Sequence, residues 1–484
     1  MSFKLRKAFL CYLPIGRYQR GEDRCQADID GSATQAPHAP NDLGYIAAQL
    51  EKFSIESFIR DYPAERLSEE DLIEDVKAFE PDIFFISTTF PTFEKDALFL
   101  KKIKSLKPDI LTIAKGSCFF SLPLEDLKNE NYASLDIAVY GEAEFIIVDI
   151  IESLRVGSPL TNVSGLLLYI GSPEVMRTPQ PAFEENLDLL PLPKRELIKN
   201  ELYIRPNTGK PMATIVVSRG CPLSCIFCLT PIISGQKLRK RSVQNVLEEV
   251  KECLHRYKIR DFFMRADTFT IDRRYVKELC QQIIDQRLNI SWVANSTTTA
   301  ALDREMLDLM RAAGCWLVTF GIESGNEEIQ KKIKPGIPVE NSAKAVRLCR
   351  EAGIKTLGAF MIGLPHDSKS TMNDTFHLMK ELDCDFIEVH IALPYDGTPL
   401  NRLSRELGLL KESVLGHNYF SIPYTSGTLH LTRKEVIQFR KKMLRHHYLR
   451  PNYIYRTLKS CRSAGEAKNY LKYGARLLYN LAVR

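Results

Sequence analysis

The chain has 484 residues, 44% of them hydrophobic and 26% charged, which is enough to bury more than one core and to build about two to four domains. No apolar run reaches the ~18 residues of a membrane span, and Met1 to Lys7 leads into a strand instead of a signal peptide, so a cytoplasmic protein is expected. The formal net charge of +6 is uneven: residues 433–484 hold fourteen Lys or Arg against two Glu, an excess of +12 that leaves −6 on residues 1–432.

Short apolar strands near 7–13, 54–59, 82–87, 110–114 and 135–140 alternate with helical stretches. Parallel neighbours need a helical crossover, so the alternation predicts a flavodoxin-like, doubly wound parallel sheet over residues 1–155. Ligands of such sheets bind at the carboxyl ends of the strands, which here offer Ser87 to Thr89, Lys115 to Ser117 and Tyr140 to Glu142. A loop of about thirty residues follows the first strand and contains Asp28, Asp30, Gly31 and the turn from Pro37 to Pro40; loops of that length are functional or disordered. The helix that follows, Asn41 to Lys52, has Asn41 or Asp42 as its expected N-cap.

Residues 156–205 read as a connector with a hairpin, Leu166 to Ile170 turning at Gly171 to Pro173, and then an extended proline-rich linker from Leu189 to Lys194. Over 206–400, strand-like runs recur at Thr214–Val217, Asp261–Met264, Ser291–Ala294, Cys315–Phe320, Thr356–Ile362 and Phe386–Ala392. Gly314 and Gly353, each just past a helical stretch and before a strand, fit left-handed C-caps. Six such units predict a partial (β/α)6 barrel with its chemistry at the carboxyl ends of the strands. Residues 401–484 read as a basic helical region. Such a tail suits RNA, an anionic membrane surface or an acidic substrate, or is simply a solvated face.

The run Ser218 to Leu229 carries Cys221, Cys225 and Cys228 on a loop to which Gly220 and Pro222 bring turn chemistry. Structural metal sites are closed by four protein ligands; three thiolates leave a coordination position open to a substrate, which points to catalysis, with buried thiols or zinc completed by a distant residue as the plain alternatives. The remaining cysteines do not make a disulfide framework, and Cys253, Cys280, Cys315, Cys349 and Cys384 read as small core residues.

With aromatic Phe227 before its last cysteine, this motif resembles the cluster loop of radical S-adenosylmethionine (SAM) enzymes. The resemblance implies a 4Fe-4S cluster on Cys221, Cys225 and Cys228, with SAM chelating the fourth iron. By the same resemblance Asp267 and Thr268 sit at the methionine-amine loop, Asn295 follows the third strand, Glu323, Ser324 and Gly325 match an E-S-G segment, and Ile362 and Gly363 match the adenine-side motif, with Phe227 beside them. The arginine that relatives commonly carry near Thr297 is absent. The segments Asn41–Lys52, Ile83–Ser87 and Tyr140–Glu144 resemble the cobalamin-binding domain fused to many of these enzymes, which implies corrin contacts at Leu43, Gly44, Ser87, Thr88, Gly116, Gly141 and Glu142. The histidine signature for a lower cobalt ligand is missing.

The resemblance implies a cobalamin-dependent radical SAM C-methyltransferase: a 5′-deoxyadenosyl radical activates an unreactive carbon, and methylcobalamin delivers the methyl group. Alternatives are a radical cyclase or rearrangement enzyme of tetrapyrrole or lipid metabolism without net methylation, a methylthiotransferase using Cys11, Cys25 and Cys118 for a second cluster, and a non-enzymatic cluster or corrin sensor that binds nucleic acid. Expected partners are a small-molecule, lipid or tetrapyrrole substrate, a flavodoxin- or ferredoxin-type one-electron reductant, and a membrane-surface or anionic contact through the basic C-terminus; nucleic acid is not expected. His390 and the Tyr395–Leu400 run are read as a core histidine and as a barrel-closing or substrate-side loop.

Overall fold

The computed structural model describes residues 5–21, 28–30, 32–410, 415 and 427–483; Cys25 and Gly31 lie outside them. The first unit runs β1 (Lys7–Tyr12), α1 (Asn41–Glu51), β2 (Glu56–Asp61), α2 (Tyr62–Glu65), α3 (Glu69–Phe79), β3 (Ile83–Ser87), α4 (Phe93–Leu106), β4 (Leu111–Lys115), β5 (Ile137–Val139), α5 (Ala143–Val156), β6 (Leu166–Leu168) and β7 (Met176–Arg177). Its sheet has the order β2-β1-β3-β4-β5-β6-β7. The first five strands are parallel, with the order reversing about β1 as a doubly wound sheet requires. The hairpin β6–β7 is present, but it is no free connector: β6 pairs antiparallel with β5 and extends the sheet. Its turn needs Gly171 (φ +79°), because a Cβ there would strike the backbone of Ala133.

The barrel unit continues with β8 (Met212–Val216), β9 (Ser218–Arg219), α6 (Thr230–Ile233), β10 (Arg239–Lys240), α7 (Val243–Arg256), β11 (Asp261–Arg265), α8 (Arg273–Asp285), β12 (Ser291–Thr297), α9 (Arg304–Ala312), β13 (Cys315–Glu323), α10 (Glu327–Ile333), α11 (Glu340–Glu351), β14 (Lys355–Ile362), α12 (Lys369–Leu382), β15 (Phe386–Ile391) and α13 (Pro399–Glu406). Six strands form one parallel sheet in the order β15-β14-β13-β12-β11-β8, an open barrel wall. Gly314 (φ +95°) and Gly353 (φ +71°) are left-handed past α9 and α11, as their positions predicted. Three helices follow: α14 (Arg433–Tyr448), α15 (Pro451–Lys459) and α16 (Ala464–Val483). No helix among the described residues is long and apolar enough to cross a membrane.

The two sheets share a core. Leu229, Ile233, Leu393 and Tyr395 of the barrel unit are buried in the same cluster as Phe9, Phe84 and Phe90 of the first unit, and the Tyr395 ring lies 4.9 Å from that of Phe90. The connector is equally load-sharing in a polar sense. Arg195 is fully buried; its guanidinium donates to Asn41 Oδ1 of α1 (3.2 Å), the Thr214 carbonyl of β8 (2.8 Å) and Glu249 of α7 (2.6 Å). Neither expected N-cap caps α1. The helix starts after Pro40, Asn41 Nδ2 crosses to the Thr214 carbonyl (2.7 Å), and Asp42 is held by Lys115 (3.1 Å) and the Tyr12 hydroxyl. A tertiary contact with β8 is stronger competition for the Asn41 amide than a local turn.

Asp61 illustrates a cost of this packing. It caps α2 through the Ala64 N–H (3.0 Å) and accepts from the Tyr203 hydroxyl of the connector (3.0 Å), yet burial outweighs both and lifts its pKa from 3.8 to about 6. Between those values the folded state holds more protons than the unfolded state, so this group's contribution to stability is fully present below pH 3.8 and is lost as pH rises through about 6. Asp61→Asn, which keeps a capping oxygen, is therefore expected to raise urea stability at pH 8 by up to about 3 kcal/mol and to have no such effect near pH 4, as pH-resolved urea titrations would show.

Candidate functional site

The cysteine loop leaves β9 at Arg219 and crosses the carboxyl ends of the barrel strands. Gly220 has φ +83°, and a Cβ on it would collide with the Lys237 carbonyl, so the turn into Cys221 needs glycine. The Gly220 N–H donates to Asp267 Oδ2 (2.7 Å) just beyond β11. Farther along, Ile226 donates its N–H to the Ile333 carbonyl of α10 (3.0 Å) and accepts from the Leu400 N–H of α13 (2.9 Å). The loop is thus pinned at both ends by the barrel mouth, whatever it holds.

Burial pushes the Cys221 thiol up to about 11 and that of Cys225 to about 12, each raised further by Cys228 and drawn down by Lys334. Among the described residues no three His, Cys, Asp or Glu side chains converge as ligands of one metal ion. A four-iron cluster instead takes one thiolate at each ligated corner, which suits three mutually interacting thiols spread along one loop.

Two non-glycine residues at the mouth are left-handed: Ser296 (φ +54°) in β12 and Glu323 (φ +70°) at the end of β13, where the pairing with β14 also shifts register. Such conformations concentrate at functional sites. Glu323 is buried beside Lys334, whose ammonium lies 3.6 Å from its Oε1 and donates to the Gly321 carbonyl. Lys334 is itself 5% exposed. It was not anticipated from the sequence, where it is one of three lysines in a charged stretch. Four threonine hydroxyls, on Thr268, Thr270, Thr297 and Thr299, are buried after β11 and around the end of β12 without a hydrogen-bond partner among the described residues. Buried polar atoms are normally paired, so this cluster fits a polar ligand such as SAM.

The other expected SAM contacts divide. Asn295 is tied to the neighbouring strand, accepting from the Thr319 hydroxyl (3.1 Å). Ser324 and Gly325 face α12, with the Gly325 N–H donating to Thr375 Oγ1 (3.0 Å) and the Ser324 hydroxyl 3.4 Å from the same oxygen. Ile362 points into the main barrel core; its neighbour Met361 shares a cluster with Leu364, Ile226 and Phe227. Alternation along β14 assigns the apolar wall beside Phe227 to Met361. Gly363 (φ +76°) is a turn closed over by Val436.

A small cavity opens between the units, lined by Lys115, Gly116, Ser117 and Gly141 from the carboxyl ends of β4 and β5 and by Arg219 and Ser234 from the barrel side. Ser87 at the end of β3 has a buried hydroxyl without a hydrogen-bond partner among the described residues. Small residues and an unsatisfied hydroxyl on adjacent strands fit the amide-bearing edge of a corrin. Four other expected corrin contacts are occupied differently. Leu43 is buried between α1 and the sheet, and Gly44 is met by Pro193 of the connector, so neither lines the cavity. The Thr88 hydroxyl donates to Asp96 Oδ2 (2.6 Å), which also binds Arg20 (2.9 Å). Glu142 borders the cavity, but both its oxygens are taken: Oε1 by Arg219 (2.9 Å) and Arg239 (2.9 Å), Oε2 by Arg239 (2.9 Å). Burial would raise its pKa, but the two guanidinium groups outweigh that and leave it below the usual range. Arg219 reaches Glu144 as well, so the residue two before Cys221 is clamped to the first unit. Cys11 and Cys118 are wholly buried in the apolar core of the first unit.

Residues 215–379 match the radical SAM superfamily. The chain is 30% identical over 362 residues to an uncharacterized methyltransferase of Pyrococcus horikoshii, covering 75% of this chain and 77% of that protein. It is also 30% identical over 416 residues to cytidylyl-2-hydroxyethylphosphonate methyltransferase of Streptomyces wedmorensis, with 75% and 77% covered. The fold matches that of OxsB, solved as a cobalamin-dependent SAM radical enzyme with aqua-cobalamin bound, at TM-score 0.73 and 16% identity over 99% of this chain and 72% of OxsB.

Proposed function

Because the chain belongs to the radical SAM superfamily, we propose that it is a cobalamin-dependent C-methyltransferase acting on an unactivated carbon of a small-molecule substrate. The observation that carries the reading is the clamp between the first unit and the cysteine loop: Glu142 and Glu144, which line the inter-unit cleft at the carboxyl ends of the first sheet, grip Arg219, which leads directly into the three-cysteine loop. Bound there, a 4Fe-4S cluster supplies one electron to SAM, and a corrin carries a methyl group. A flavodoxin- or ferredoxin-type protein would supply that electron.

The chain's own residues do the rest. Cys221, Cys225 and Cys228 hold the iron, and Asp267 fixes the loop's entrance through the Gly220 N–H. The buried hydroxyls of Thr268 and Thr297, with Glu323, offer donors and acceptors to the polar parts of SAM, while Phe227 and Met361 supply an apolar wall. Lys334 provides the buried cation that the third strand lacks, placed to offset both thiolate charge and the methionine carboxylate. The apolar inter-unit core around Tyr395 holds the first unit and the barrel in fixed register.

Lys334→Met, which retains length without charge, is expected to weaken SAM binding about tenfold or more while iron per chain stays unchanged, because a hydrogen bond to a buried charge is lost. Lys334→Arg should recover part of the affinity; equilibrium dialysis with labelled SAM on reconstituted protein reads both. The function itself is tested by supplying methyl-deuterated SAM, reductant and cell-extract metabolites anaerobically. Methyl transfer requires a labelled product and equal amounts of S-adenosylhomocysteine and 5′-deoxyadenosine. Deoxyadenosine formed without label or S-adenosylhomocysteine would assign the chain to a non-methylating reaction instead.

A further inference from the structure

Helix α16 is docked by one side and apolar on the other. The Tyr473 hydroxyl donates to the Pro206 carbonyl (2.7 Å), Asn469 Nδ2 donates to the Asn207 carbonyl (3.0 Å), the Tyr470 ring stacks on Phe386, and Leu481 is buried. A helix fixed in this way ordinarily turns charge toward solvent. Here the outward stripe is Lys468, Leu471, Ala475, Leu478 and Ala482, in steps of three and four, flanked by Lys472 and Tyr479, and all seven are exposed. Leu471 is 60% exposed, Leu478 50% and Tyr479 65%. The neighbouring α15 adds Ile454 and Tyr455 at 43% and 66%.

The basic excess of the tail is not all available to a partner. Arg450 and Arg456 pair with Asp383, Arg440 donates to the Val389 carbonyl, and Arg445 donates to the Leu481 carbonyl. Arg440, Arg450 and Arg456 fasten the helices to the barrel, and Arg445 ties α14 to α16. Lys468 and Lys472 remain at the edges of the apolar stripe.

From this pattern we propose that the outer face of α16 docks the protein on an anionic phospholipid bilayer, the leucines and Tyr479 entering the acyl boundary and the lysines meeting headgroup charge. Two weak signals acting together are what reversible surface binding needs, and tyrosine is at home at that depth. Charge decides against a second copy of this chain, since the cations bordering the stripe would face the same sign on any partner from the same +12 region. Unconjugated leucines decide against RNA, which rewards stacking planes and hydrogen bonds. The inference stands independently of the reaction catalysed.

The test is flotation of the full chain with vesicles of phosphatidylcholine containing about a third phosphatidylglycerol, and with phosphatidylcholine alone. Binding to the anionic vesicles at low salt, lost at high salt, is expected; Lys468→Glu with Lys472→Glu should weaken it by at least about thirtyfold, at about 1 kcal/mol per cation neutralised near the surface. Leu471→Ser with Leu478→Ser should abolish it without changing the thermal midpoint, and Tyr479→Trp should shift its fluorescence to the blue on vesicle addition. No flotation, or flotation unaffected by the leucine changes, overturns the proposal. So does a concentration-dependent dimer in sedimentation that the leucine changes dissolve, since that would assign the face to a second copy.

Discussion

Cys225→Ala is expected to leave a folded protein that retains almost no reconstituted iron and forms 5′-deoxyadenosine only at background rate. The loop around it does not depend on a metal for its position: Ile226 is hydrogen-bonded on both sides, to the carbonyl of Ile333 and the N–H of Leu400, and Gly220 is held by Asp267. Removing one thiolate therefore empties a corner of the cluster without freeing the chain. Cys280→Ala is the control. That thiol is wholly buried in the barrel core, so its loss should lower stability by roughly a methyl-sized cavity's worth, about 1 kcal/mol, and leave iron content unchanged. Iron and sulfide analysis with deoxyadenosine quantification on both variants separates a cluster ligand from a core cysteine. Full deoxyadenosine formation by Cys225→Ala would remove the basis of the proposed function.

The largest effect on stability is expected from Glu249→Gln. This carboxylate has no solvent exposure and lies between Arg195 (2.6 Å) and Arg241, both fully buried. Burial alone would raise its pKa, but Arg241 and Arg195 outweigh that and hold it ionised. Neutralising it strands two guanidinium groups in the interior, a change that costs about 3–5 kcal/mol. Because Arg195 also grips Asn41 and the Thr214 carbonyl, the loss should loosen the first sheet against the barrel as well as lower the urea midpoint. Replacing all three with apolar residues (Arg195→Met, Arg241→Met, Glu249→Leu) should be less damaging than the single change, since no charge is left unpaired. A triple variant weaker than Glu249→Gln would mean that the bonds to Asn41 and Thr214, not charge compensation, dominate.

The sequence by itself determined the five parallel strands of the first sheet, the six barrel strands, the two left-handed glycine caps and the three-cysteine loop, but not that the hairpin β6–β7 extends the first sheet. Each is written in local terms: hydrophobic runs of strand length, glycine after a helix, and thiols a fixed few residues apart. It also determined that the strand ends at Ser87, Gly116 and Gly141 would be small.

Only the tertiary structure decided which polar residues are left over for ligands, because that depends on partners distant in sequence. Thr88 is consumed by Asp96, which is itself paired with Arg20, Glu142 by two arginines 77 and 97 residues away, and Asn41 by a carbonyl of β8. Lys334, anonymous among neighbouring lysines, becomes the buried cation beside Glu323 because α10 ends over the mouth of β13. Met361 and not Ile362 shares the cluster with Phe227 because a strand's alternation fixes which residues share a face, and the surrounding core decides which face is inside. The outward apolar face of α16 follows the same logic: its residues are visible in the sequence, but which side is spent on the barrel was set by Tyr470, Tyr473 and Leu481 finding their partners there.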